Sequence, residues 1–522
     1  MAQILVNDVL VSLMELAPTS TISSLMRTCR HLYRSGARCI LGKGVIVEGE
    51  RTLLSFLAFA SVENGTRLKH LKELIFLAFH ISYPAANALS AFLTRSLNSI
   101  VLEVLRIEDA EALLSAGSPP LSNAFAKLKT VKILALTGIG KHGASFLRSM
   151  ESKLEDAHLT MLDESSAFDT DGADETQEED DPDDRNGIRL LHGSQDTLIS
   201  LTGNGLELLT SDLIYAEVYP RVQYLTLFGN DCPVTIAYVH AFPNVRVFRY
   251  NTAEEDLYFI GQDMEARTSF RSFNQIEQGL LNSPWKSLTT CQANLLDHFL
   301  LGLHCHVREL HILGNFMETE ALRAVMMDTT PEYMCLQNFD VNMFTRSLVS
   351  TMKNPYAQQL RSLDLSLLVG GMDNPETVDM PHAVVRSVSL VMVALALTST
   401  IRPQDTMLAM LRHLKIRSFG LSLQCCLVPE PRSINWVTLA LLPAEQYLAD
   451  LDFSAFAQRI KDTTETLQTV IVTLKMHRTQ PTTVVTLGTD VEYDPDAVER
   501  IPLHLMSPTA SYPSIHPEPW SR

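Results

Sequence analysis

The chain has 522 residues, 46% apolar and 20% charged, a composition that supports a large buried core and more than one domain. Its formal charge is −18, yet residues 163–184 hold twelve Asp or Glu and no Lys or Arg, leaving −6 on the remainder. Without a basic stripe, a general nucleic-acid partner is excluded, because phosphate backbones demand clustered Lys and Arg.

The segment Met1–Leu16 lacks a basic start and is interrupted by Asp8 and Glu15, so no secretory signal is expected. Its amphipathic run, Val9, Leu10, Leu13, Met14 and Leu16, is closed by Pro18, which disfavours helix at Ala17. A second stripe, Ile22, Leu25, Met26, Cys29, Leu32 and Tyr33, follows the 3.6-residue period and predicts one helix capped by Ser20 or Thr21. Two short helices of this size cannot cover their own apolar faces, so a partner or the rest of the chain must do so.

The order Leu5-Val6-Asn7-Asp8-Val9-Leu10, Leu13-Met14, Ile22, Leu25 and Thr28-Cys29-Arg30-His31-Leu32 resembles the F-box motif over about forty residues. Where the family pattern has Pro after its first Leu and an aromatic after the Cys-Arg pair, this chain has Val6 and Leu32. The resemblance implies docking of a Skp-type adaptor and, through it, a cullin, with Leu5, Val9, Leu10, Leu13, Leu25, Cys29 and Leu32 as the contact residues.

Beyond residue 45 the frame apolar-x-x-apolar-x-apolar recurs, with copies starting at Leu71, Leu102, Leu128, Val222, Val245, Val307, Leu336, Leu360 and Leu411, and a last copy at Leu467. The period near 26 residues matches leucine-rich repeats, in which a short strand and a helix or turn form each unit. Intervening helical stretches such as Ala85 to Ser96 complete βα units that must stack on their neighbours. The expected fold is an α/β solenoid: an all-α F-box over 1–45, then a curved parallel sheet with outer helices over 46–160 and 187–480. An acidic insertion at 161–186, too polar and self-repelling to order, and a Pro-rich tail at 481–522 complete the chain. Together these features resemble F-box proteins with irregular leucine-rich repeats, a type abundant in fungi. That resemblance implies a non-catalytic subunit of a ubiquitin ligase, cytoplasmic or nuclear, holding a target protein on its repeat surface. The rival expectation is a repeat scaffold with no ligase role, whose first helices form a cap.

Chemistry-bearing patterns are few. Gly138-Ile-Gly140-Lys-His-Gly143 follows a predicted strand, opens a predicted helix and precedes Asp163 by about twenty residues, which is the form of a dinucleotide fingerprint. The acid opens the acidic run instead of a further βα unit, so a dinucleotide enzyme is a remote alternative and no cofactor is expected. His298, His304, Cys305, His306 and His311 form a zinc-like ligand set, but strand alternation turns His304 and His306 to one face, and no metal is expected. The eight Cys are scattered and expected to be free, Cys425 and Cys426 as ordinary core residues. The longest apolar stretch, Ser387 to Ile401, is shorter than the roughly 18 residues that cross a bilayer and reads as core.

Overall fold

In the computed structural model the chain forms two compact units, Met1–Asp231 with Ala237–Asn244 and Asp494–Arg522, and Cys232–Ile236 with Val245–Tyr493. The structure describes residues 2–77, 80–117, 119–162, 185–207, 217–230, 232–252, 264–281, 284–314, 318–340, 346–369, 403–425, 446, 448–477 and 479–488. The acidic insertion 163–184, the apolar stretch Ser387 to Ile401, Cys426 and the tail beyond Gly488 lie outside them.

The first unit opens with three helices, α1 (Ala2–Leu16), α2 (Thr19–Met26) and α3 (Arg30–Gly42). The stripe from Ile22 to Tyr33 is therefore not one helix. Thr28 donates from both its amide and its Oγ1 to the carbonyl of Leu25, at 3.0 and 2.7 Å, and this local competition ends α2. Cys29 is then fully extended, with φ −154°. The start of α2 also differs from expectation, since Pro18 is its cap and Ser20 lies inside the helix.

Strands β1 (Val45–Val47), β2 (Glu73–Phe76), β3 (Val104–Ile107), β4 (Ile133–Ile139), β5 (Asp156–Met161), β6 (Ser200–Asn204) and β7 (Tyr224–Asn230) follow. Each pairs with the next in parallel, in chain order. Parallel neighbours need a crossover, here supplied by α4 (Glu50–Ser61), α5 (Tyr83–Ser96), α6 (Ala110–Gly117), α7 (Pro119–Ala126), α8 (Lys141–Ser149) and α9 (Gly187–Leu190). After β7 comes α10 (Thr235–Ala241), of which residues 237–241 belong to this unit. Alternate strand residues are buried, and the helices cover that face: Phe76 of β2 meets Phe125 of α7 edge-on at 5.8 Å, and Phe125 meets Phe146 of α8 at 6.4 Å.

The second unit repeats this logic with β8 (Val247–Thr252), β9 (Ser287–Asn294), β10 (His306–Leu313), β11 (Tyr333–Asp340), β12 (Ser362–Val369), β13 (Ser418–Cys425) and β14 (Thr469–Lys475), all parallel. Its helices are α11 (Met264–Leu280), α12 (Leu295–Leu301), α13 (Thr319–Thr329), α14 (Arg346–Met352), α15 (Pro403–Leu411) and α16 (Phe453–Lys461). The expected tail contributes structure: β15 (Thr483–Leu487) folds back antiparallel onto β14 and ends the sheet. A short connection can join antiparallel strands, so no helix is needed here. The fold class is thus α/β, each unit an open, mostly parallel sheet with helices. Among the described residues, no helix is long and apolar enough to cross a membrane.

The strand frames starting at Leu71, Leu102, Val222, Val245, Val307, Leu360 and Leu467 each bury their three residues as expected. Three frames were displaced. Register pairs Leu105 with Leu134 and Ile107 with Leu136, so the third copy runs three residues later than Leu128 and Ile133 faces the other side. Likewise Leu310 pairs with Met334 and Leu363 with Phe419, placing those copies five residues before Leu336 and five after Leu411. Strands β5, β6 and β9 matched no frame because their inward positions are small: Ala157, Gly203, Cys291 and Ala293. At Gly203 any Cβ would sit 2.3 Å from Leu206 Cδ1. Steps between equivalent inward residues run from 19, Cys291 to Leu310, to 56, Leu363 to Phe419, so the period is irregular.

Helix α11 reverses the usual helical pattern, because its buried stripe is Arg267, Arg271, Asn274 and Gln278, while Phe273, Ile276 and Leu280 are exposed. Three members of the polar stripe donate to carbonyls in the last turn of α12, where helical donors run out. Arg271 reaches Phe299 O at 2.7 Å, Asn274 Nδ2 reaches Leu300 O at 2.7 Å and Pro233 O at 2.8 Å, and Gln278 reaches Leu301 O at 3.3 Å. Asn274 also accepts from the Thr235 amide at 3.1 Å. Replacing Asn274 by Leu strands two buried carbonyls and an amide, and urea unfolding should show a loss of about 3 kcal/mol.

Candidate protein-interaction site

The N-terminal helices carry a small core of their own. Met14, Ile22, Met26, Leu32, Ala37, Cys39 and Ile40 are buried together, with Leu10, Val11, Ala17, Leu25 and Phe59 packed against them. Gly36 lets α2 and α3 close, since a Cβ there would lie 2.3 Å from Met26 Cγ. Lys43 donates to Ala17 O, just past the end of α1, where a cation is favoured. Arg67 stacks its guanidinium at 4.7 Å from both the Tyr33 and Phe59 rings, joining α3 to α4.

This core sorts the seven expected contact residues. Val9 and Leu13 point outward, each 53% exposed, and Cys29 is also at the surface. Leu10 and Leu25 are half-buried against the cluster, and Leu32, 3% exposed, is one of its members and unavailable to another protein. Leu5 lies on α1, with its side chain outside the described residues. Leu16, which is not among the seven, is 85% exposed and completes the i, i+4, i+7 line begun by Val9 and Leu13. That spacing was present in the sequence; what could not be read was which face the helical pair would hide.

A second polar array lies on the sheet of the second unit. Arg249, Gln292, His311, Cys335, Asp364 and Gly420 occupy one row across β8 to β13, each opposite the next. Tyr333 Oη donates to Asp364 Oδ2 at 2.7 Å, and Gly420 leaves the space for that carboxylate, because a Cβ would sit 2.3 Å from Oδ1. Burial raises the Asp364 carboxyl above its usual range and pushes the Cys335 thiol up to about 12. Burial, with the Arg249 and His298 charges behind it, holds His311 down at about 4. The thiol is therefore protonated and a poor nucleophile at neutral pH, and the His311 Nδ1 is buried without a hydrogen-bond partner among the described residues.

The dinucleotide-like glycines do lie on β4 and the start of α8, but their anion position is filled from within. Glu111 of α6 accepts from the Gly140, His142 and Gly143 amides at 3.0 to 3.1 Å and lies 2.7 Å from His142 Nδ1. Burial pushes Glu111 up, yet the His142 and Gly143 bonds outweigh it and the net shift is downward. A pyrophosphate would have to displace a resident carboxylate, which removes the geometric case for a dinucleotide; Asp163 lies outside the described residues.

The histidine group does not converge. His304 and His306 are exposed, whereas Cys305 is buried with its thiol pushed up to about 12. His298, buried in α12, donates from Nε2 to the His311 carbonyl at 2.9 Å, leaving Nδ1 to face Cys291 Sγ at 3.9 Å. Among the described residues, no three His, Cys, Asp or Glu side chains stand where they could hold a metal ion.

Burial holds His298 at about 4, below the 6.5 of an exposed imidazole. The unfolded chain therefore binds the proton first, so this group's contribution is present above pH 6.5 and is lost as pH falls toward 4. Between pH 7 and pH 5 the loss from His298 should be about 2 kcal/mol. Urea unfolding across that window should show a shallower fall for His298→Gln than for the native chain.

No family model matches the chain, and no curated protein shows detectable similarity to it.

Proposed function

We propose that the chain is the substrate-recognition subunit of a Skp/cullin/F-box ubiquitin ligase, docking the adaptor through its N-terminal helices and holding a target protein on a leucine-rich-repeat-like solenoid. The observation that carries this reading is the line Val9, Leu13 and Leu16, three large apolar side chains left outward on a helix whose other face is packed. An exposed apolar stripe of that kind marks a surface that another protein covers. The F-box resemblance of residues 5–32 supplies the class of partner. The polar row from Arg249 to Gly420 is poor in nucleophiles, since burial holds the Cys335 thiol protonated, and this counts against chemistry at that place. Catalysis then comes from proximity, since a held target gains a high effective concentration beside the transfer machinery. This role places the chain in the cytoplasm or nucleus.

The second reading, a repeat scaffold without a ligase role, is favoured by the helices' own core and by the Arg67 stack that ties α3 to α4. One experiment separates the two. The full chain should retain a Skp-type adaptor in a pull-down, and Val9→Asp with Leu13→Asp should weaken retention by about tenfold or more with no fall in Tm. Met14→Asp, which buries a charge in the small core, should lower Tm by several degrees. An adaptor that ignores the native chain, or binds the double variant equally well, sinks the ligase role and leaves the scaffold.

A further inference from the structure

The first unit also contains a cavity of about 310 Å³ between its N-terminal helices and its first strands. Glu15 at the end of α1, Arg38 and Lys43 at the end of α3, Lys69 and His70 on the 3-10 turn Val62–His70, and Lys72 before β2 line it. Four of these six side chains are cations and one is an acid. Arg38 is loosely paired with Glu15 at 4.0 Å, Lys72 is held by Glu103, and Lys43 is bound to a carbonyl. Lys69 has no ion pair among the described residues. His70 responds to this surplus: burial, then the charges of Lys69 and Arg38, hold its imidazole below the ordinary value. It therefore faces the cavity as a neutral hydrogen-bonding group.

Concentrating cations around a concave surface costs self-repulsion that a multiply charged anion relieves. The volume stands at the low end of small-molecule sites and exceeds what one water or chloride needs. Phosphate oxygens suit the donors present, a guanidinium fork, ammonium groups and an imidazole. We propose that this cavity binds a small diffusible anion carrying two or more phosphate charges, and that the bound anion clamps the N-terminal helices to the first βα unit. Arg38 and Lys43 belong to one side, Lys69, His70 and Lys72 to the other, so a single ligand spans the joint. The site is independent of the ligase reading, because it requires no protein partner.

The test uses the full chain and pyrophosphate as the probe, by titration calorimetry at about 100 mM KCl, where diffuse surface attraction is screened. One saturable site per chain is expected, with slower amide exchange in α1 to α3 when it is filled. Arg38→Gln with Lys69→Gln should weaken binding by about tenfold or more, while Lys127→Gln, an exposed lysine outside the cavity, should leave it unchanged. Arg38→Lys with Lys69→Arg keeps the charges and should retain the site, which separates loss of charge from loss of fold. No saturable heat, equal weakening by Lys127→Gln, equal affinity for citrate, or unchanged exchange in α1 to α3 would overturn the proposal.

Discussion

A parallel strand can hide only alternate side chains, and it can reach its parallel neighbour only by a crossover, so hiding one face and covering it are the same structural event. In this chain each crossover brings a helix onto the face that the preceding strand has made apolar, as Phe76, Phe125 and Phe146 show in succession. The alternate positions on the strands of the second unit carry polar side chains instead. The row Arg249, Gln292, His311, Cys335, Asp364 and Gly420 follows from that constraint. Parallel register lines up residues far apart in sequence and gives them a common outlook.

Polar groups also do structural work where apolar packing alone would fail. The end of α12 presents carbonyls to the interior, and α11 answers with Arg271, Asn274 and Gln278 instead of leucines. At the start of α12, Asp297 accepts from the amide and hydroxyl of Thr252 at 2.9 and 2.6 Å, while Asn294 caps the helix. Glu111 plays a similar part for α8, its carboxylate taking three amides at the helix start. In each case a buried side chain replaces water at a helix end, which is why these acids and amides tolerate burial.

These substitutions of polar for apolar explain what was legible in the sequence and what was not. Frames with three large apolar residues, such as Leu102, Leu105 and Ile107, could be read directly because the period of two is local. Strands β5, β6 and β9 could not, since Ala157, Gly203, Cys291 and Ala293 are small for the sake of the helix or loop packed on them, a tertiary fact. The displaced frames have a related cause: Leu128, Leu411 and Leu414 are buried residues at helix ends and connections, and an apolar spacing does not say whether it belongs to a strand. In the candidate site, helical spacing revealed α1 as amphipathic, but Thr28 broke the second stripe, and only the resulting third helix decides that Leu32 turns inward and Leu16 outward.

The division of α1 into a packed and an open face follows from the size of what it packs against. Three helices ending at Gly42 can enclose a handful of side chains, and Met14, Ile22 and Leu32 already fill that space, with Gly36 carrying no Cβ to block Met26. Adding Val9, Leu13 and Leu16 to the interior would need a further helix over that line, and among the described residues the chain instead turns at Gly44 with φ +89° and begins β1. Fully burying an exposed side chain of this kind is worth about 1.5 to 3 kcal/mol, and about half that for Val9 and Leu13, which are each 53% exposed, so the line contributes a few kcal/mol toward association. The geometry of the core, more than the hydrophobicity of α1 itself, is what makes that stripe available to another molecule.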